Sequence, residues 1–141
     1  MANSAGVSGA AKQAALSAIV DGKTLKGALY LATATTGPTN TVYTATGELS
    51  ATGNYTAGGA SVTNGNTAGL TSTTAYWTPS ASISWTNLTS SGAFDCVMIY
   101  STTDTNRNIG TFTFTSQSIS AANFSLTMPT NDSSTGLVRF A

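Results

Sequence analysis

The amino-acid sequence predicts an all-β protein, an antiparallel β-sandwich or a small barrel, preceded by a short N-terminal helix. Strand-like segments recur at short intervals between clusters of Gly, Ser and Asn, which is typical of both architectures. The chain is 40% hydrophobic and has a formal net charge of zero, so it has the apolar content that folding requires. Its 141 residues suit one domain. We expect an arm and the helix over residues 1–22 and a single β-sandwich domain over residues 23–141.

The clearest predicted element is a β-hairpin from Ala93 to Thr115. Its first arm, Ala93 to Tyr100, is apolar on both alternating faces, as in a strand that is buried on both sides. Its second arm alternates threonine with Phe112 and Phe114, so one face should pack inward. The segment between the arms is polar and rich in turn-forming residues. This hairpin is therefore expected at the centre of a sheet.

The N-terminal part predicts a flexible arm followed by a helix. Residues 1–8 are small and polar, and no basic stretch leads into an apolar run as it would in a secretory signal. An Ala-rich segment then predicts a helix from about Gly9 to Ile19, which Asp21-Gly22 ends. We favour a helix that lies over one end of its own sheet. The alternative is an arm that grips a neighbouring subunit.

The other strands follow from the alternation of apolar and polar residues. In the strand from Thr24 to Ala32, Leu25, Leu29 and Leu31 share one face. The glycine-rich segment from Thr41 to Ala60 predicts short strands joined by tight turns. Further strands are expected at about residues 70–77, 81–88, 123–128 and 137–140.

The composition limits the partners that this chain can bind. Charged residues make up 7% of the chain and about a third of it is Ser or Thr, so the surface should be hydroxyl and amide rather than ionic. No basic patch is available for nucleic acid, and the predicted helix is too short to cross a membrane. Few Lys, Glu or Pro residues guard the strand edges. We therefore expect that copies of the chain or another protein cover these edges.

An ordered series of short motifs runs through most of the chain. It includes Leu-Lys-Gly-Ala-Leu-Tyr at residues 25–30, the Gly- and Tyr-rich stretch at residues 43–59, and an Ala-Lys-Gln helix in front of them. It continues through Thr74-Ala-Tyr76, Trp85, Met98-Ile-Tyr100, Asn106-Arg107 and residues 136–140. The series resembles a family of small structural proteins of tailed-bacteriophage virions. The segments at residues 77–79 and 94–95 differ from the pattern of that family.

The resemblance implies a non-enzymatic structural protein on the surface of the phage capsid, made in the cytoplasm of the bacterial host. We expect a decoration or cement protein that binds and stabilises the outer shell. Its partners would be the major capsid protein and copies of itself, with three copies around a local symmetry axis as the natural homo-oligomer. No nucleic acid, membrane or cofactor is expected. The alternative is a receptor- or glycan-binding module of a phage fibre or tail.

Aromatic residues are the candidates for contact with a partner. Tyr43 and Tyr55 lie in Gly-rich turns, where their rings are candidates for a surface platform that binds a sugar or a protein. Trp77 is a third candidate, whereas Trp85 is expected in the core. The competing interpretation places all of these rings in the core, as is common in β-proteins.

The sequence gives little basis for catalysis or metal binding. It contains no histidine, and its carboxylates are scattered without a paired pattern, which leaves a two-carboxylate hydrolase as a weak third hypothesis. The segment from Asp104 to Gly110 resembles a calcium loop in part. Its glycine comes one residue late, and Thr115 stands where a bidentate Glu belongs, so we expect a plain turn. Cys96 lies in an apolar strand, which favours a buried and unreactive thiol.

Overall fold

The computed structural model describes residues 3–141, so the first two residues of the predicted arm lie outside the described part. The regular structure there consists of one helix and nine strands. They are α1 (Gly9–Val20), β1 (Leu25–Leu31), β2 (Ala60–Val62), β3 (Gly69–Thr71), β4 (Thr74–Trp77), β5 (Ile83–Leu88), β6 (Phe94–Ser101), β7 (Arg107–Gln117), β8 (Ala122–Leu126) and β9 (Val138–Phe140). The predicted fold class, antiparallel sheets in a sandwich behind a short helix, is confirmed.

Three antiparallel sheets build the sandwich. The largest has the strand order β2-β1-β6-β7, and the smaller ones have the orders β3-β4-β9 and β5-β8. The predicted hairpin is confirmed as β6 and β7. Strand β6 lies inside the largest sheet and is buried along its length except at Asp95, which is half-buried. Strand β7 is an edge.

The inner face of the four-stranded sheet packs on the two smaller sheets. Leu25 and Leu29 of β1, with Val97 and Ile99 of β6, lie on this face because alternate residues of a strand point the same way. The opposing side chains come from the smaller sheets and include Ala75, Trp77, Ile83, Trp85 and Leu88. Burial of this apolar surface is the main source of stability.

Helix α1 lies against β3, β4 and β9 and buries Leu16 and Val20 in the same core. The Ser8 hydroxyl oxygen caps its first turn by accepting a hydrogen bond from the Ala11 N–H at 3.2 Å. At the other end, the Asn64 side-chain amide donates to the Val20 carbonyl at 2.6 Å. The helix thus covers its own sheet, as favoured above. Within residues 3–141, no helix has the length and apolar character needed to cross a membrane.

Residues 32–59 form a long loop, so the short strands predicted between Thr41 and Ala60 are wrong. The pairing in this segment is limited to single bridges, from Glu48 to Tyr30 and from Val42 to Arg107. The predicted tight turns are present. Four glycines of the segment, at positions 47, 53, 58 and 59, have positive φ angles, so the backbone turns repeatedly instead of extending.

The other predicted strands are present with small changes in their limits. The segment of residues 70–77 is a tight hairpin of β3 and β4 instead of one strand. The remaining strands, β1, β5, β8 and β9, occupy the predicted places.

Candidate functional site

The loop of residues 32–59 covers the outer face of the four-stranded sheet. This face presents Ala28, Tyr30, Cys96, Met98 and Tyr100, and the loop packs on them with two of its own side chains, Ala34 and Tyr43. Burial raises the pKa of the Cys96 thiol, and the nearby Asp95 carboxylate raises it further. The thiol is buried as predicted, and a raised pKa disfavours the reactive thiolate.

The carboxylate of Glu48 anchors the loop on that face. Glu48 is 9% exposed, and its Oε1 accepts hydrogen bonds from the Tyr55 hydroxyl and the Gly58 N–H, both at 2.7 Å. Its Oε2 accepts a hydrogen bond from the Tyr43 hydroxyl at 2.6 Å. A carboxylate removed from water needs such donors, and short bonds to an ionised group are the strong ones. Tyr43, Glu48, Tyr55 and Gly58 are called the Glu48 cluster below.

The Glu48 cluster is joined to the sheet by further contacts. The Tyr55 hydroxyl oxygen accepts a hydrogen bond from the Leu29 N–H at 2.9 Å. The Tyr100 hydroxyl donates to the Gly58 carbonyl at 2.8 Å, and the Tyr100 ring stacks on Tyr43 with ring centroids 4.7 Å apart. These contacts tie the loop to both β1 and β6.

The loop crosses β1 at a point where only glycine fits. Gly59 has a φ of +81°, and a Cβ atom built there would lie 1.9 Å from the Gly27 carbonyl oxygen. A side chain would push the loop off the strand and pull the neighbouring Gly58 away from Glu48. Gly59 therefore lets the loop approach β1 closely enough for the Glu48 cluster to form.

The electrostatics of the Glu48 cluster suit a clamp better than a reaction. Burial raises the pKa of Tyr55 and of Tyr43 far above the ordinary tyrosine value, and the hydrogen bond to the Glu48 carboxylate raises both further. The neutral hydroxyl is the form that donates to Glu48. Both oxygens of the carboxylate accept hydrogen bonds from the loop, so the cluster holds separate segments of the loop together.

The other carboxylates lie apart from the Glu48 cluster. Asp21 accepts a hydrogen bond from the Ser17 hydroxyl, and Asp104 forms an ion pair with Lys23 at 3.2 Å. Asp132 accepts backbone hydrogen bonds within its own turn, and these lower its pKa. In the described part of the chain, no group of three His, Cys, Asp or Glu side chains is placed to hold a metal ion.

The structure places the three predicted contact residues in different environments. Tyr55 is 4% exposed and Trp77 is 0% exposed, so both rings lie in the core, as the competing interpretation expects, and neither can form part of a surface platform. Tyr55 is drawn inward by its hydrogen bonds to Glu48 and Leu29, and Trp77 lies in the core with its Nε1–H donating to the Asn64 side chain at 3.2 Å. Tyr43 is half-buried and shares Glu48 with Tyr55, whereas Trp77 belongs to another sheet. Trp85 is in the core, as predicted.

Glu48, the centre of this arrangement, does not stand out from the sequence pattern as a functional residue. A signal was present, because Glu48 is a lone acidic residue in a Gly- and Tyr-rich segment of a chain with few charges. What the sequence could not show is that Tyr43, Tyr55 and Gly58 turn back toward the same carboxylate.

The surface of the described residues carries few charges. Of the ten charged residues, all of which lie within residues 3–141, Arg107 and Arg139 are exposed, Glu48 is buried and the other seven are partly exposed. An open cleft of about 520 Å³ in the loop of residues 32–59 is lined by threonines, Ala34, Asn40 and Gly47. Its walls therefore offer hydroxyl and amide groups without an aromatic ring or a charge.

Strand β7 is a long edge of the four-stranded sheet. In the described part of the chain it pairs with β6, with two shifts of register. At its start the loop of residues 32–59 also lies along this edge, through the bridge between Arg107 and Val42 and through the Asn108 N–H, which donates to the Thr41 carbonyl at 3.0 Å. Thr113 and Thr115 are exposed, whereas Phe112 and Phe114 are half-buried. An apolar groove of about 170 Å³ opens beside the two phenylalanines, with further walls from Leu126, Met128 and Leu137.

Comparisons of the chain with protein-family models, with curated proteins and with solved structures found no match. The fold, the surface and the resemblance of the sequence therefore carry the functional inference.

Proposed function

We propose that this chain is a non-enzymatic structural protein of a tailed-phage virion, a decoration or cement protein on the outside of the capsid. It would be made in the cytoplasm of the bacterial host and would bind the major capsid protein and copies of itself. The resemblance of the sequence motifs supports the phage assignment. The observation that carries the binding role is the hydroxyl-rich surface with few charges, on a sandwich whose edge strand β7 has no charged residue after Arg107.

A surface of this kind suits many weak contacts better than one strong site. Hydroxyl and amide groups hydrogen-bond without the desolvation cost of a charge. Repeated copies on a symmetric shell then multiply the individually weak contacts. Because few exposed charges take part, binding to the shell should change little with salt concentration, unlike binding through ion pairs.

The clamped loop supports the same role. The Glu48 cluster holds the loop of residues 32–59 on the outer face of the sheet and so gives that face a defined shape. A rigid surface loses less entropy on binding than a mobile one. The alternative, a receptor- or glycan-binding module of a fibre or tail, has less support because Tyr55 and Trp77 are buried and the open cleft lacks an aromatic ring.

The test is the number of copies of this protein in purified source particles, measured by quantitative gel densitometry against the major shell protein. A copy number equal to that of the shell protein, or a constant simple fraction of it, is the expected result. A few copies per particle would place the protein in the tail, collar or fibre and favour the alternative. Complete absence from the particles would contradict the proposal.

A further inference from the structure

After Arg107, strand β7 lacks the charged and proline residues that often keep a sheet edge from pairing with another chain. Within residues 3–141, the loop of residues 32–59 covers this edge only at Arg107 and Asn108, and the pairing of β7 with β6 is irregular at two places. Edges are usually blunted by Lys, by Pro or by charged side chains that point inward. Here the chain carries no charged residue from Asn108 to Asn131, a stretch that includes nearly all of β7 and the whole of β8. Arg107, at the first position of β7, is its only charged residue.

The side chains of β7 are also arranged in a self-complementary order. Residues 111–115 read Thr-Phe-Thr-Phe-Thr in both directions. Two such strands, antiparallel about a two-fold axis at Thr113, place Thr111 opposite Thr115 and Phe112 opposite Phe114. Threonine pairs and aromatic pairs across strands are both favourable, and a two-fold contact requires a surface that matches itself.

The pairing of β7 with β6 shows which face each row of side chains occupies. Thr113 lies opposite Cys96, whose side chain is on the outer face, and Phe112 lies opposite Val97, whose side chain is in the inner core. The threonines therefore line the outer side of the edge, and Phe112 faces the apolar groove. The pairing with β6 is regular from Gly110 to Thr113 and shifts on both sides of this stretch. About an axis at Thr113, the regular residues 110–112 of each copy would therefore lie opposite the irregular residues 114–116 of the other.

We propose that β7 pairs with β7 of a second copy of this chain, antiparallel about a two-fold axis at Thr113. The pairing joins two four-stranded sheets into one of eight strands and covers the half-buried Phe112 and Phe114 together with the groove beside them. The charge distribution favours this occupant, because two copies of an uncharged edge meet without repulsion, whereas a charged partner would find no opposite charge there. The inference concerns the purified protein, so it stands without the binding to a shell, and it replaces the homo-oligomer of three copies expected above with a two-fold dimer.

The test is the molar mass of the purified chain by light scattering and sedimentation equilibrium over a range of concentrations. The expected mass is twice that of the 14.2 kDa chain. In Thr113→Lys two ammonium groups would face each other across the axis, so this variant should be a monomer. The matched control is Thr86→Lys, an exposed threonine of β5 in another sheet, which should remain a dimer.

A second variant guards against a folding defect in Thr113→Lys. In Thr115→Lys each lysine faces Thr111 of the other copy, so the two charges lie further apart and the dissociation constant should rise at least tenfold without complete loss of the dimer. Circular dichroism and the melting temperature show whether each variant is folded. If Thr113→Lys is not folded, the dissociation constant of Thr115→Lys decides whether the proposal holds. A wild-type monomer or trimer, or a folded variant at position 113 that dimerises as wild type does, would overturn the proposal. The molar mass of the purified chain does not depend on how many copies a particle contains. Each proposal can therefore be contradicted while the other stands.

Discussion

The two faces of the four-stranded sheet are closed by different physical means. On the inner face, Leu29, Phe94 and Ile99 meet apolar side chains of other strands, and burial of apolar surface holds the layers together. On the outer face, a loop without regular strands packs Ala34 and Tyr43 on the sheet, and hydrogen bonds to the buried carboxylate of Glu48 hold it there in place of strand pairing. The same loop also sends Leu49 and Tyr55 into the inner core. The inner face tolerates exchange of one apolar residue for another of similar size, whereas the outer face depends on particular atoms.

We expect the largest loss of stability from a substitution on the inner face. Phe94 is 0% exposed and contacts Phe114 and Phe124 edge to face. Phe94→Ala should lower the free energy of unfolding by about 3–5 kcal/mol because it leaves a cavity. Urea denaturation measures this loss, and amide exchange should accelerate throughout the molecule. A loss below about 1 kcal/mol would mean that the inner core is not the main source of stability.

A smaller and more local effect is expected on the outer face. Glu48→Leu leaves the Tyr55 hydroxyl and the Gly58 N–H without an acceptor, which should cost about 2–3 kcal/mol. Amide exchange should accelerate in residues 32–59 first, while β6 keeps its protection. Glu48→Gln retains an acceptor oxygen, so it should lower the free energy of unfolding by less than half as much as Glu48→Leu. Equal acceleration in the loop and in β6 would contradict the division into two separately held faces.

The third prediction concerns the dependence of stability on pH, and its expected effect on the free energy of unfolding is the smallest of the three. The pKa of Tyr55 is raised in the folded protein, so Tyr55 keeps its proton at a pH where the unfolded chain has lost it. Its contribution to stability is complete below the ordinary tyrosine pKa of about 10 and is lost as the pH rises above that value. Above pH 10, each such tyrosine lowers stability by about 1.4 kcal/mol per pH unit.

Tyr55→Phe should therefore reduce the steepness of the alkaline loss by about that amount, as measured by urea denaturation between pH 9 and about pH 11. The control is Tyr76→Phe, since the Tyr76 hydroxyl makes no hydrogen bond with any residue between 3 and 141. Identical pH profiles for Tyr55→Phe and wild type would show that Tyr55 is not held neutral by the clamp.

The same division explains what could be predicted from the sequence. The strands of the inner face follow from alternation, so β1, β6 and β7 were predicted at their observed places. The outer face has no such period, because its contacts join residues of an irregular loop to one carboxylate. For this reason the sequence makes Tyr55 a candidate for the surface, since a Gly-rich turn is usually exposed and only the fold brings its hydroxyl between Glu48 and Leu29.

The pairing of β1 with β6 also affects how this chain folds while it is being synthesised. Leu31 pairs with Phe94 and Leu25 with Ser101, so roughly sixty to seventy-five residues separate the partners. At about 5–20 residues per second, an apolar strand waits several seconds for its main partner. During that interval we expect Leu25, Leu29 and Leu31 to lack their main partners, which leaves apolar side chains that a chaperone can bind.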